Sequence, residues 1–331
     1  MSIKNPNPVN PIILEGLWGL GKTSLAQAYC GKYGYEFMPE PFHTRDSKAG
    51  EIKDLDGWYL EQHKDRQQFF KQSTLVERSV LSSFAFRYAL EQALPDASYL
   101  ESLKKDMEKA GALLVYLKEN VPFATGHNGA GEYSAEIEKI LLNEKAQKRY
   151  DEWYTDILPR CYGILPFILK VSADGSRKPV ESLADEIHTV LAANRMAQTN
   201  VVCFTRDEKW DIKILTLKRN EQKGGFWQTI TGGVHIGEDP LAAASREALE
   251  EIGISNAEIF WTPLSYFFMG DDGYELSEYV FGCEIKEPSR ARLSDEHTAF
   301  EWLEPEDAKK RVKYDNNKLA IDAIYKKIGQ S

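Results

Sequence analysis

Residues 232–254 read GGVHIGEDPLAAASREALEEIGI and constrain the fold more than any other stretch of the chain. On a helix running from Pro240 to Glu251, the carboxylates of Glu247, Glu250 and Glu251 stand at i, i+3 and i+4 and share one face. Like charges at that spacing repel and weaken a bare helix. A divalent cation removes the conflict, and ligands that offer only oxygen suit magnesium or manganese. Leu241, Ala244, Ala248, Leu249 and Ile252 give the same helix an apolar face for packing. Arg246 lies one turn before Glu250 and is expected to hold that carboxylate in place. The spaced Gly232, Glu238 and Gly253 weigh against reading the acids as an ordinary solvated helix face.

The rest of the chain falls into two patterns. Up to about residue 193, apolar runs alternate with amphipathic stretches. Strands are expected at Pro11–Leu14, Ser73–Val76, Ala112–Leu117 and Leu165–Val171. Helices are expected at Lys22–Gly31, from Glu77 to Leu94, at Glu136–Tyr154 and at Val180–Leu191. Such alternation means a parallel sheet covered on both faces. Beyond that point strand-like runs at Val201–Thr205, Ile212–Lys218, Ile259–Phe268 and Glu278–Ile285 surround the acidic helix. A last helix is expected from about Pro305 to Ile328. The expectation is an α/β protein of two domains, residues 1–197 and 198–331, a division that a length of 331 residues also suggests.

Composition excludes several classes. Hydrophobic residues make up 42% and charged residues 28%, which rules against disorder, collagen-like structure and a disulfide scaffold. A net charge of −10 argues against a general binder of nucleic acid or anionic membrane, though a local basic pocket can still hold phosphates. Cys30, Cys161, Cys203 and Cys283 form no CxxC pair and are expected as reduced thiols. No window nears the ~20 apolar residues that span a bilayer, and Met1–Pro11 does not resemble a secretory signal. The expected location is the cytoplasm.

Residues 16–23, GLWGLGKT, carry a second chemical pattern. Gly16, Gly19 and Gly21 let backbone amides curl around phosphates, and the following helix N-terminus adds favourable partial charge. Lys22 would reach the β and γ phosphates, and Thr23, with Ser24 beside it, would sit at the magnesium and phosphate end. Thr125–Gly131 is a glycine-rich loop that reads as a lid, and Thr125–Ser134 has no arginine or lysine.

The run from Gly232 to Ile254 matches the Nudix box G-x5-E-x7-R-E-U-x-E-E-x-G-U at every fixed position, and the chain resembles Nudix hydrolases over about residues 199–325. That resemblance implies an α/β/α sandwich that hydrolyses a nucleoside diphosphate linked to another group. It makes Glu247, Glu250 and Glu251 magnesium ligands with Glu238 assisting. Phe226-Trp227-Gln228-Thr229, Glu296-His297, Trp302 and Asn316–Ile321 further resemble dihydroneopterin-triphosphate and dATP pyrophosphohydrolases, which makes Glu296 a candidate extra metal ligand or base.

The first half, with EGLWGLGKTS, PEP at residues 39–41 and ERS at 77–79, resembles deoxynucleoside kinases and the related thymidylate kinases. By that resemblance ATP is the phosphate donor, Glu40 is the general base for the acceptor hydroxyl, Glu77 helps hold magnesium and Arg78 steadies the reacting phosphates. Pro39 stands where thymidylate kinases typically carry an arginine, which favours a nucleoside acceptor. Trp58, Tyr59 and Gln62 are candidates to meet its base, and His43 and Arg45 lie near the acceptor end.

The expected whole is a bifunctional enzyme of nucleotide metabolism, with nucleosides and nucleotides as its partners and the homodimer that both families often form. The alternatives are a degenerate ATP-binding domain that regulates a Nudix hydrolase or sensor, a thymidylate-type monophosphate kinase fused to the same partner, and a chain active only in its Nudix half.

Overall fold

A computed structural model describes residues 10–41, 58, 61–62, 66, 72–119, 135–206, 211–254, 257–270, 273–288 and 291–329. The chain divides into two compact units, Met1–Asn194 and Arg195–Ser331.

In the first unit the order is β1 (Ile12–Gly16), α1 (Lys22–Tyr33), β2 (Glu36–Met38), β3 (Thr74–Glu77), α2 (Val80–Glu91), α3 (Ala97–Ala110), β4 (Leu113–Lys118), α4 (Ala135–Leu141) and α5 (Glu144–Glu152). A π-helical turn, Trp153–Ile157, leads into α6 (Leu158–Tyr162). Then come β5 (Phe167–Lys170), the hairpin β6 (Ser172–Ala173) and β7 (Ser176–Arg177), and α7 (Val180–Ala193). The sheet order is β2-β3-β1-β4-β5, and every pairing within it is parallel. The central strand β1 is buried at every residue, as a strand covered on both faces must be. Its register sets Leu14 beside Glu77, and Met38 lies beside Val76. Gly16, Glu40, Glu77 and Arg78 therefore stand at or just beyond the carboxyl ends of three neighbouring parallel strands, the edge where such sheets present ligand sites.

Several boundaries differ from the sequence reading. The helix expected from Glu77 starts at Val80, because Ser79 caps it by accepting from the Leu81 N–H, and Glu77 closes β3 instead. The helix expected over Glu136–Tyr154 is interrupted at Leu142. Asn143 caps a new helix through the N–H groups of Lys145 and Ala146. Helix α3 was not anticipated, although Leu100, Leu103 and Met107 form its one buried stripe at i, i+3 and i+7.

The second unit runs β8 (Ala197–Arg206), β9 (Ile212–Arg219), β10 (Trp227–Gln228), β11 (Ile230–Val234), α8 (Pro240–Ile252), β12 (Glu258–Met269), β13 (Glu275–Glu284), β14 (His297–Leu303), α9 (Pro305–Arg311) and α10 (Asp315–Gly329). Its sheet is mixed. β8 and β13 are parallel and the other pairs antiparallel. Val202, Phe204 and Val280 pack with Ala320, Ile321 and Ile324 of α10 in one core cluster. None of the buried residues of α8 belongs to that cluster, and α8 lies against β8, β11, β12 and β13. Helices thus cover both faces.

The single terminal helix of the sequence reading is two helices. Val312 leaves the helical conformation (φ −71, ψ 143) and enters the core, and the Lys313 N–H bonds to Trp227 O at 2.9 Å. All four cysteines are free thiols, and Cys203 and Cys283 are register partners across β8 and β13. No helix of the described residues is long and apolar enough to cross a membrane.

Candidate active site

The acidic face of α8 forms as its spacing requires. Asp239 caps the helix through the N–H groups of Leu241 and Ala242, Pro240 occupies its first turn, and Gly253 ends it in left-handed conformation at φ 70. Glu247 and Glu251 are buried, whereas the Glu250 side chain is 57% exposed. β11 runs past Glu247, and a Cβ on Gly232 would lie 1.7 Å from Glu247 Cδ, so the glycine leaves the room this carboxylate occupies. Burial raises the Glu247 pKa, and the charges of Glu250 and Glu251 add to the rise against the opposing pull of Arg246. Among the described residues no three His, Cys, Asp or Glu side chains gather closely enough to hold a metal ion. The donors nevertheless fit a hard divalent cation. All are carboxylates, two of the three residues are buried, and bound positive charge would offset their mutual repulsion.

Arg246 does reach Glu250, as its helix spacing predicts, but at 3.4 Å this is its longest contact. The guanidinium instead grips Glu238 with two parallel bonds, Nε to Oε1 at 2.8 Å and Nη2 to Oε2 at 3.0 Å. It also donates to Glu247 Oε1 at 2.6 Å and to Gly233 O at 2.8 Å. Burial works to raise the Glu238 pKa, but these bonds overcome it and hold the group below its ordinary range. Glu238 therefore anchors Arg246, and Arg246 fixes Glu247 against β11.

Glu296 is not joined to the acids of α8 by any bond among the described residues. Its carboxylate pairs with Lys223 and with Arg219 Nη2 at 3.1 Å, and the Lys223 bond leads in lowering its pKa. The next residue does reach the helix. The buried His297 sets Nδ1 2.5 Å from Glu251 Oε2, and Ser294 Oγ donates to the same oxygen at 3.0 Å. His297 carries no sequence signal of its own beyond standing next to Glu296, because its contact with α8 is made across the fold.

In the first unit the glycine-rich turn has φ 143 at Gly16, 77 at Gly19 and 76 at Gly21. Lys22 is buried and donates to Gly16 O at 3.1 Å and Leu17 O at 2.7 Å. Burial, then the nearby Arg78 charge, lowers its pKa to about 7. Thr23 Oγ1 donates to Glu77 Oε1 at 2.8 Å, and Glu77 Oε2 has no partner among the described residues. Arg78 Nε pairs with Glu40 Oε2 at 2.9 Å, and its guanidinium lies 4.3 Å from the Trp18 ring centroid. Burial alone would lower the Arg78 pKa, and Glu40 carries it the other way. Arg78 Nη2 is buried without a partner among the described residues. The structure thus brings Lys22, Thr23, Glu40, Glu77 and Arg78 together, while Ser24, the third residue of α1, is exposed.

Two arginines here were missed by sequence reasoning. Arg66 donates to Met38 O at 3.0 Å and Pro39 O at 2.7 Å, bracing the segment before Glu40. Arg177 of β7 donates to Leu20 O and lies over Gly21, where a Cβ would meet its Nη2 at 2.8 Å. Neither carries a sequence signal, since each acts from far along the chain on a backbone carbonyl. Trp58 is half-buried. His43, Arg45, Tyr59 and the Thr125–Gly131 loop lie outside the described residues.

A family model described as the NUDIX domain matches residues 196–323. The chain is 33% identical over 124 residues to an RNA pyrophosphohydrolase of Gluconobacter oxydans, a match covering 32% of this chain and 69% of that protein. It is 29% identical over 136 residues to a dihydroneopterin triphosphate diphosphatase of Haemophilus influenzae, covering 37% of this chain and 82% of the relative. It is also 28% identical over 141 residues to an octanoyltransferase of Myxococcus xanthus, of whose length it spans 40%, the match covering 40% of this chain as well.

Proposed function

The chain belongs to the NUDIX family through residues 196–323, and from that premise we propose that its second unit is a metal-dependent pyrophosphohydrolase acting on a nucleoside triphosphate or a related nucleotide-like polyphosphate. The observation that carries the reading is the pair of buried carboxylates, Glu247 and Glu251, on one face of α8, with Glu247 seated against Gly232. Glu247, Glu250 and Glu251 would hold the ion. Magnesium or manganese bound there would polarise the phosphoanhydride and acidify the attacking water. The protein's own contribution is orientation: Arg246, braced by Glu238, fixes Glu247. Two of the relatives are named for releasing diphosphate, from RNA and from dihydroneopterin triphosphate, which supports a triphosphate substrate cut to a monophosphate and pyrophosphate.

The test is pyrophosphate release from a panel of nucleoside triphosphates, dihydroneopterin triphosphate and 5′-triphosphorylated RNA, with magnesium or manganese. Release that Glu251→Gln abolishes is the expected result. Release untouched by that substitution, or none from any substrate, overturns the reading.

A second reading concerns the first unit, and one constellation favours it. The Thr23–Glu77 bond, the buried Lys22 and the Glu40–Arg78 ion pair stand at one edge of a parallel sheet. That edge suits ATP-dependent phosphorylation of a (deoxy)nucleoside. Lys22 and Arg78 would face phosphates, Thr23 and Glu77 would hold magnesium, and Glu40 would take the acceptor proton. Label passing from γ-labelled ATP to a deoxynucleoside, and lost in Glu40→Gln, is the expected result. Label passing only to a monophosphate would make it a thymidylate-type kinase, and none passing would leave a nucleotide-binding regulator.

A further inference from the structure

We infer that His297 and Ser294 are positioning residues that close one oxygen of Glu251 and leave it a single-oxygen ligand; the inference rests on the hydrolase reading of the second unit. The segment carrying them is stapled to the end of α8. The Arg292 N–H bonds to Ile252 O at 2.9 Å and the Ser294 N–H to Glu251 O at 3.0 Å, filling two carbonyls that a helix C-terminus leaves open. A further bond from the His297 N–H to Ser294 O, at 3.2 Å, tightens the turn. Two side-chain donors then converge on one atom, Glu251 Oε2: Ser294 Oγ at 3.0 Å and His297 Nδ1 at 2.5 Å.

A carboxylate only accepts, so His297 carries its hydrogen on Nδ1. Its Nε2 is buried and has no partner among the described residues, and a hydrogen there would be an orphaned buried donor. The ring is therefore held as the Nδ1–H tautomer. With Oε2 occupied by two donors, Glu251 keeps Oε1 for a cation. Glu251 cannot swing to present both oxygens without breaking these two bonds. Groups that orient a ligating side chain in this way typically change metal affinity by about 10–100-fold when removed.

The test follows manganese binding to the full chain by the electron paramagnetic resonance signal of free Mn²⁺, without substrate. Glu251→Gln is the control for the underlying reading, and unchanged binding in that variant means the acids of α8 are not the ligands. Asparagine places an amide N–H near the position of Nδ1, and glutamine places one near Nε2. His297→Asn is therefore expected to keep affinity within about threefold, and His297→Gln to lose about tenfold or more, with Ser294→Ala in between. A ¹⁵N spectrum of the metal-free protein is expected to show His297 protonated on Nδ1. Equal affinity in wild type and His297→Gln, where Glu251→Gln has lost it, overturns the inference. So does an Nε2–H signature, or equal losses in the Asn and Gln variants accompanied by a fall in Tm.

Discussion

Gly232 and Glu247 are matched across β11 and α8: the carboxylate fills the space a side chain would need, with Cδ 1.7 Å from the position of the missing Cβ. Gly232→Ala is therefore expected to push Glu247 off its site. Metal-dependent hydrolysis should fall by about tenfold or more. The rest of β11, which pairs with β8 from Ile230 to Val234, should hold, so Tm should move little. A variant with wild-type kcat and manganese affinity would contradict this role for the glycine.

Arg246 makes a two-pronged contact with Glu238 and reaches Glu247 with a separate nitrogen. A lysine offers one ammonium and cannot reproduce that fork. Arg246→Lys should thus behave almost as badly as Arg246→Ala, with hydrolysis lowered about 10–100-fold. Steady-state kinetics on the two variants check it. Full activity in the lysine variant would mean that only the charge matters.

Glu296 sits half-exposed between Arg219 and Lys223. Exposed pairs of this kind contribute about 0–1 kcal/mol. Glu296→Gln should leave hydrolysis within about fivefold of wild type, while His297→Gln weakens it more. A larger loss in Glu296→Gln would restore the ligand or base role that the family resemblance implies.

Lys22 ties stability to pH. Its pKa falls from 10.5 to about 7 on folding, through burial and the Arg78 charge. Between those values the unfolded chain binds more protons than the folded one, so stability rises with pH across that window. Below pH 7 both states are protonated and the penalty is complete. Lys22→Met should flatten the stability profile from pH 7 to 10. Urea unfolding of both proteins across that range measures the slopes, and parallel slopes would refute the assignment.

The acids of α8 were legible because helix periodicity alone puts 247, 250 and 251 on one face, and the cap at Asp239 and the stop at Gly253 are local signals. The parallel sheet was legible because buried strands read as apolar runs, as Pro11–Leu14 and Ala112–Leu117 do. What escaped depends on contacts between distant parts of the chain. The break at Val312 is fixed by core packing and by Trp227 O, and the basic run Lys309–Arg311 and the Asp315-Asn316-Asn317 cluster are only weak local signals for it. Arg246 reads as a partner for Glu250 by helix spacing, yet the better acceptor, Glu238, lies before the helix starts. The choice between Glu296 and His297 is made by the bonds of Arg292 and Ser294 to the end of α8, which no residue near Glu296 announces.

The Glu238–Arg246 fork also bears on how such a chain can drift over generations. Exchange of either partner alone would leave a partly buried charge facing a gap and release Glu247, so single steps should be costly. The two positions are then inherited as a unit, and among related chains they should change together or not at all. Leu241 and Leu249, exposed on the same helix, carry no such constraint and should vary freely.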